Sequence, residues 1–255
     1  MTSMQELKSI SNELRKELLI KHSESKMAHI GSDFSCLDIL ITIYFKVLQS
    51  EDRFVLSKGH AALALYAVLH KKGIMSNEVY SSLGKNGSLL GEHPIYGIEG
   101  IEFATGSLGH GLPISAGMAL AKRFDKNTGK IYVLLSDGEC QEGSTLEAMN
   151  FIARLGLNNL VAIVDSNKWQ AFDRTLLPGD KIKSEFISAG WLVKEIDGHN
   201  YEEIHSALKS STDSPTLIIA NTVLGKGVKS MEDRLEWHYK SPTKEQVNNF
   251  NSEVL

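Results

Sequence analysis

In the first third of the chain, apolar positions recur at helical spacing. Leu7, Ile10, Leu14, Leu18 and Leu19 make one stripe, and Ile39, Ile43 and Val47 make another. Asp33, just before the second stripe, is placed to cap that helix. A third helix is expected from about Gly59 to Lys72, stopping at Gly73. Residues 1–85 therefore read as helical. From Lys85 to Gly111 the periodicity disappears. Glycines crowd this stretch, at 84, 87, 91, 97, 100, 106, 109 and 111. Loops of that length inside compact domains are usually functional or disordered.

Beyond the loop the pattern alternates. Leu112–Arg123 reads as a helix of small residues, suited to close packing on a sheet. Ile131–Leu135 and Leu160–Val164 are apolar runs of buried-strand type, with a helix expected from Glu142 to Gly156 between them. Further strands are expected near Trp191–Ile196 and Thr216–Ala220, with a helix near Tyr201–Ser210. After Asn221 the chain turns polar, with Gly225 and Gly227, and a short final helix is expected around Thr243–Asn249. Strands alternating with helices predict an α/β fold, a doubly wound and mostly parallel sheet with helices on both faces. The expected organisation is one domain over residues 1–255, with a helical region at 1–85 and an irregular tail at 222–255.

Composition narrows the function classes. Of 255 residues, 42% are hydrophobic and 23% charged, ordinary for a soluble globular protein. A formal charge of −4 with scattered Lys and Arg speaks against nucleic-acid binding. There is no 18-residue apolar run, and the polar N-terminus reads as neither signal peptide nor membrane span. Two cysteines, Cys36 and Cys140, make no disulfide framework, so a reducing, cytoplasmic location is expected.

The chemistry is expected at strand ends. Asp137 and Asn167 stand thirty positions apart, each just after one of the two best strand candidates. One strand–helix–strand unit would bring both to the carboxyl edge of a parallel sheet, where such sheets bind ligands. A carboxylate and an amide oxygen, with Gly138 alongside, suit Mg²⁺ holding a phosphorylated ligand; turn capping is the plainer alternative. Thr105-Gly-Ser-Leu-Gly-His-Gly111 opens onto a helix, where free backbone amides attract anions. His29, His60, His93, His110 and His238 sit in loops or at element ends, beside glycine, proline or Trp237. His22, His70 and His205 are expected on solvated helix faces.

Several motifs occur together in a distinctive order. They are Ala28-His-Ile-Gly-Ser32, Asp52-Arg-Phe-Val-Leu-Ser-Lys-Gly-His-Ala61, Gly91-Glu-His-Pro94, Thr105–Gly111, Asp137-Gly…Asn167, and Gly225-Lys-Gly227 followed by Trp237-His238. From about residue 5 to residue 243 the chain closely resembles the N-terminal, diphosphate-binding subunit of a split transketolase. The resemblance implies a thiamine diphosphate-binding fold of the diphosphate-holding type. It implies Mg²⁺ on Asp137, the Asn167 side chain and the Trp169 backbone carbonyl. It places the cofactor against His60, Gly106, Leu108, Gly138, Glu139, Asn167 and His238. His29, His93 and His238 would face the donor ketose, and Glu142 would join a proton network between the two cofactor sites of a dimer. His110 receives no role.

The activity so implied moves a two-carbon ketol unit from a ketose, or its phosphate, to an aldose. It would require a C-terminal, pyrimidine-binding subunit carrying the activating glutamate, in an α2β2 assembly. Some residues depart from the family pattern. Ser136 stands for a usual glycine and Leu146 for a frequent tryptophan, and both Met27-Ala28 and Asp33-Phe34 are less glycine-rich than usual. Trp169-Gln-Ala-Phe-Asp-Arg-Thr175 is bulkier than the usual loop, and Tyr239 follows His238 where glycine is common. These last two bear on the sugar rather than the cofactor. Three alternatives remain: ketol or acyl transfer to an unusual sugar, the α subunit of a thiamine-dependent 2-oxo acid dehydrogenase, and a non-catalytic scaffold. The helical N-terminal third with His29 and His60 and the Gly-Lys-Gly…Trp-His tail favour transketolase over the dehydrogenase, and retention of both metal-site residues and of the four cofactor- or substrate-facing histidines argues against a scaffold.

Overall fold

The structure is a computed structural model that describes residues 2–210 and 213–254. Helix α1, Met4–Ser25, starts at a capping box between Ser3 and Glu6 and ends where Lys26 turns left-handed at φ 59°. Its buried stripe includes Leu7, Leu14, Leu18 and Leu19, as the spacing predicts. Helix α2, Ile30–Thr42, is buried throughout and runs into a π-helical turn at Ile43–Val47.

Three expectations need correction here. Asp33 does not cap α2, because the helix begins three residues earlier, after His29 in a left-handed conformation at φ 69°. The Asp33 carboxylate is buried instead, accepting from the Ala64 amide at 2.8 Å and bonding His22 Nε2 at 2.8 Å. His22 is therefore not solvated. It lies fully buried, its Nδ1 on the Met27 carbonyl at 2.9 Å. His70 likewise stacks on Tyr80, with 4.4 Å between centroids, rather than standing free in water.

The region read as wholly helical also contains a strand, β1, Arg53–Leu56. Four residues are too few for periodicity to separate a strand from a helical segment. The chain then makes a 3₁₀ turn at Gly59–Ala61 and helix α3, Ala62–Lys72, ending at Gly73. A short α4, Asn77–Ser81, precedes the irregular loop. After it come α5 (Gly111–Phe124), β2 (Ile131–Ser136), α6 (Gly143–Leu155) and β3 (Leu160–Ser166). A small hairpin, β4 (Trp169–Gln170) with β5 (Asp173–Arg174), follows. Helix α7 (Gly179–Ser188) is not evident from the sequence pattern because it buries only Ile182 and Phe186. The chain closes with β6 (Leu192–Asp197), α8 (Tyr201–Lys209), β7 (Thr216–Asn221) and α9 (Lys244–Glu253).

The main sheet has the order β1-β2-β3-β7-β6, and every pairing in it is parallel. Successive side chains point to opposite faces, so the strands feed two cores. Tyr132, Leu134, Val161, Ile163 and Ile218 meet the core containing α1, α2, α3 and α8 residues. Val133, Leu135, Ala162, Val164 and Ile219 meet residues of α5, α6 and α7 on the other face. This is the doubly wound α/β arrangement. Register sets Ser136 beside Asp165 and Ser166 beside Asn221, so the carboxyl ends of β2, β3 and β7 finish level.

Candidate functional site

Asp137 follows β2 directly, and its carboxylate is buried. One oxygen accepts from the Gly138 amide at 2.8 Å and the other from the Lys168 amide at 2.7 Å. Lys168 takes a left-handed φ of 71°, which folds the segment after β3 back onto the end of β2. Asn167, also buried, accepts from the Trp169 amide at 3.0 Å. Its amide nitrogen lies 3.4 Å from both Ser35 Oγ and Asp165 Oδ2.

The electrostatics of this corner would suit a cation. Burial, with Asp165 nearby, pushes the Asp137 pKa up from 3.8 to about 7. Lys58 and Asp165 form a fully buried ion pair beside it. Burial opposes the charge on Lys58, but Asp165 more than offsets it and raises the lysine pKa. Asp165 also accepts from Ser35 Oγ at 2.5 Å and from Thr222. With Lys58 committed to Asp165, Asp137 has no cation of its own. A carboxylate and an amide oxygen are hard donors that fit Mg²⁺ better than a softer metal. No group of three His, Cys, Asp or Glu suited to a metal occurs among the described residues. The remaining ligands would therefore be backbone carbonyl, water and the bound molecule's own oxygens.

A glycine cradle adjoins this corner. A Cβ on Gly59 would stand 2.8 Å from the Gly106 amide nitrogen, and one on Gly106 would stand 3.1 Å from the His93 ring. The two backbones approach so closely that only glycine fits at 59. The Gly109 amide donates to Glu139 at 2.8 Å and the Gly111 amide to Ser57 Oγ at 3.0 Å, which fixes the loop against β1. Glu139 is thus turned inward, its carboxylate bonded to Ser57, the Gly109 amide and the Ser136 amide. Burial raises its pKa. Leu108 is half-buried in the same loop. Glu142 is exposed at the start of α6 and lies over Gly109.

Three histidines converge at the sheet edge. Ring centroids of His29 and His60 lie 5.2 Å apart, those of His29 and His238 5.1 Å, and those of His60 and His238 5.8 Å. The tail delivers His238: the Gly225 amide bonds the Gly31 carbonyl at 3.0 Å, where a Cβ on Gly31 would stand 3.1 Å from the Trp237 carbonyl. His93 joins the group through Gly106, and the Ala28 amide donates to its neighbour Glu92 at 2.7 Å. Burial lowers the pKa of all three clustered histidines, to about 4 for His238, where His29 adds to the effect. At neutral pH each is an uncharged imidazole with one donor and one acceptor. His29 Nδ1 is buried without a hydrogen-bond partner among the described residues, an atom left for a ligand. His110 is exposed at the start of α5, apart from these rings.

Sequence reasoning alone does not find Lys58, Asp165 and Ser35. Lys58 stands inside the Asp52–Ala61 motif, but nothing along the chain shows that it pairs with a residue at the end of β3. The hairpin after Asn167 is equally silent in the sequence. There Trp169 Nε1 donates to Asp233 at 2.8 Å, and Arg174 bonds both oxygens of Asp233 at 2.6 and 2.8 Å.

Comparison with known proteins gives a consistent answer. A family model described as "Transketolase, thiamine diphosphate binding domain" matches residues 19–253. The chain is 41% identical to one of the subunits of the apulose-4-phosphate transketolase of Phocaeicola vulgatus, over 94% of this chain and 90% of that protein. It is 34% identical to the SqwG subunit of a 6-deoxy-6-sulfo-D-fructose transketolase from Clostridium sp., over 94% of this chain and 93% of that protein. Human transketolase is 37% identical over 93% of this chain, which spans only 40% of the human protein. Among solved structures, transketolase of Campylobacter jejuni superposes with a TM-score of 0.91 at 30% identity, covering 98% of this chain and 43% of that one. The chain thus spans nearly all of the two subunits and less than half of the human and Campylobacter proteins. It belongs to the transketolase family, as a member of its thiamine diphosphate-binding domain.

Proposed function

We propose that this chain is the diphosphate-holding subunit of a heteromeric transketolase, a transferase moving a two-carbon ketol unit from a ketose or ketose phosphate to an aldose. The observation that carries the reading is the joining of two features at one sheet edge: the cation-seeking Asp137–Asn167 corner and the cluster of neutral histidines. Thiamine diphosphate, when bound, supplies the nucleophilic carbon and the electron sink for C–C cleavage. The chain supplies the grip and the proton handling.

Asp137, the Asn167 side chain and the Trp169 carbonyl would hold Mg²⁺. His60, His238 and the backbone at Gly106, Leu108 and Gly138 would meet the diphosphate. Glu139 serves from behind by fixing the Gly106–Gly109 loop. His29, His93 and His238 would face the sugar. A neutral imidazole accepts a proton from a sugar hydroxyl at one nitrogen and donates to an oxygen at the other, which is what C–C bond cleavage and formation beside a carbonyl require. The unpartnered His29 Nδ1 supports that role.

Two relatives are named as subunits, which supports a companion chain here too. We infer a pyrimidine-binding companion in an α2β2 assembly, with the exposed Glu142 available to a second copy. The 1–255 stretch is read as one diphosphate-holding domain. Both cysteines are buried free thiols and no described helix is long and apolar enough to cross a membrane, which supports a cytoplasmic setting. A second reading concerns the sugar. The relatives are named for apulose 4-phosphate and for a sulfonated fructose, and together with the bulky 169–175 hairpin this supports an uncommon substrate. The complex, purified from its host through a tag on this chain, tests both readings. Two-carbon transfer from a ketose supports the first, release of CO₂ from pyruvate would replace it, and a donor panel settles the sugar.

A further inference from the structure

Two aromatic rings lie beside the histidine cluster. Phe172 stacks on Tyr239, with centroids 5.9 Å apart and planes inclined by 19°. Tyr239 in turn lies 5.0 Å from His238 and 6.4 Å from His29. Phe172 is 84% exposed and Tyr239 42%, so the stack stands on the solvent side of the imidazoles.

The two loops that bear these rings are tied together. Trp169 pairs with Arg174 across the hairpin that bears Phe172. The Arg174 guanidinium forks onto Asp233 and lies 3.7 Å from the Trp169 ring centroid. Asp233 belongs to the segment leading to His238 and Tyr239. One clamp therefore holds both loops and sets the two rings against each other.

Two of the nearby cations are already paired. Arg174 is spent on Asp233, and Lys240 bonds Glu236 at 3.1 Å. The stack itself offers ring faces and one phenol, a surface for the C–H bonds of a sugar rather than for its anionic end.

We propose that Tyr239 and Phe172 form a specificity wall that contacts the sugar's carbon chain beyond the reacting carbonyl. It decides which chain lengths and branching patterns reach His29 and His238. This rests on the ketol-transfer reading above. In an enclosed hydrophobic pocket a mismatched methylene is worth on the order of 10- to 200-fold, and a half-open wall belongs at the lower end of that range.

The test uses the complex purified from its host through a tag on this chain, as wild type, Tyr239→Phe, Tyr239→Ala and Phe172→Ala. The kcat/KM for fructose 6-phosphate is divided by that for hydroxypyruvate, a donor with no carbon chain beyond its carboxylate. Thiamine diphosphate titration, followed by tryptophan fluorescence, gives a second readout. In both alanine variants the ratio is expected to change by about tenfold or more, while Tyr239→Phe keeps it near the wild-type value and cofactor binding stays unchanged. Equal losses on both donors would overturn the proposal, as would weakened cofactor binding in the alanine variants. Loss of the companion chain from Phe172→Ala with an unchanged ratio would also overturn it, making the ring a contact between chains. A wild-type complex that transfers a two-carbon unit from no donor of the panel above would sink the ketol-transfer reading and the wall with it. An active wild type with an unmoved ratio would sink the wall alone.

Discussion

The Lys168 amide donates to the Asp137 carboxylate at 2.7 Å, across thirty-one positions of sequence. That bond welds the end of β2 to the segment after β3 and places Asn167 and Asp137 at one corner. The corner holds two buried carboxylates, Asp137 and Asp165, with Lys58, the single buried lysine among the described residues, paired to Asp165. Its chemistry follows from that imbalance.

On the proposed reading, cation binding at this corner is coupled to protons. A carboxylate whose folded pKa is about 7 against an ordinary 3.8 keeps a proton that the unfolded chain gives up. Without a cation, this group therefore favours folding less as pH rises between those values. Joint binding of Mg²⁺ and thiamine diphosphate should release a proton below pH 7 and weaken by up to about tenfold per pH unit as pH falls further. Calorimetry in buffers of different ionisation enthalpy measures that proton.

His29 is expected to act on the sugar and not to hold the cofactor. Its Nδ1 is buried and unpartnered, while burial lowers its pKa. His29→Asn should lower kcat by about 10² to 10⁴, the usual worth of a positioned proton-transfer group, with thiamine diphosphate affinity changed little. Steady-state kinetics and a fluorescence titration separate the two effects.

Gly59→Ala probes the cradle. The added methyl would meet the Gly106 amide nitrogen and the Thr105 hydroxyl, both at 2.8 Å, and would force the loop away. Cofactor binding should weaken at least tenfold while the far-UV circular dichroism of the sheet and helices stays intact. Comparing the two measurements on one sample checks this.

A separate prediction concerns stability. Asp38 is buried in α2, 2.9 Å from Arg15 and 2.8 Å from both His199 and Tyr201. Burial works against its charge, but Arg15 and His199 prevail and hold its pKa well below the carboxylate range. With the folded pKa depressed, the stabilisation is present above the unfolded value of about 3.9 and is lost as pH falls beneath it. Asp38→Ala strands a buried guanidinium and should destabilise the protein by about 3–5 kcal/mol. Urea unfolding at neutral pH reads that loss.

The sequence showed much of this and hid a definable part. The runs at 131–135 and 160–164 are long and wholly apolar, so their strands and the helix between them were legible, and the polar ends could be placed. The strand Arg53–Leu56 was not, since its run is too short to carry a period. Helix α7 was hidden because only Ile182 and Phe186 face inward. His22 sits on a helix whose other faces are polar, and its burial depends on Asp33, eleven positions away, turning inward. The Lys58–Asp165 pair spans 107 positions and leaves no local mark. Phe172 and Tyr239 stood out by their bulk, but their stacking depends on Asp233 gripping Arg174 and Trp169 from a distant loop.

The most direct test of the account is thiamine diphosphate titration of the purified complex with and without Mg²⁺, for wild type and Asp137→Ala. Tight binding that requires the ion in wild type, and falls by about 100-fold or more in Asp137→Ala, is the predicted result. Binding of equal strength in all four conditions would contradict the claim that the coenzyme is tethered through a divalent cation at Asp137 and Asn167.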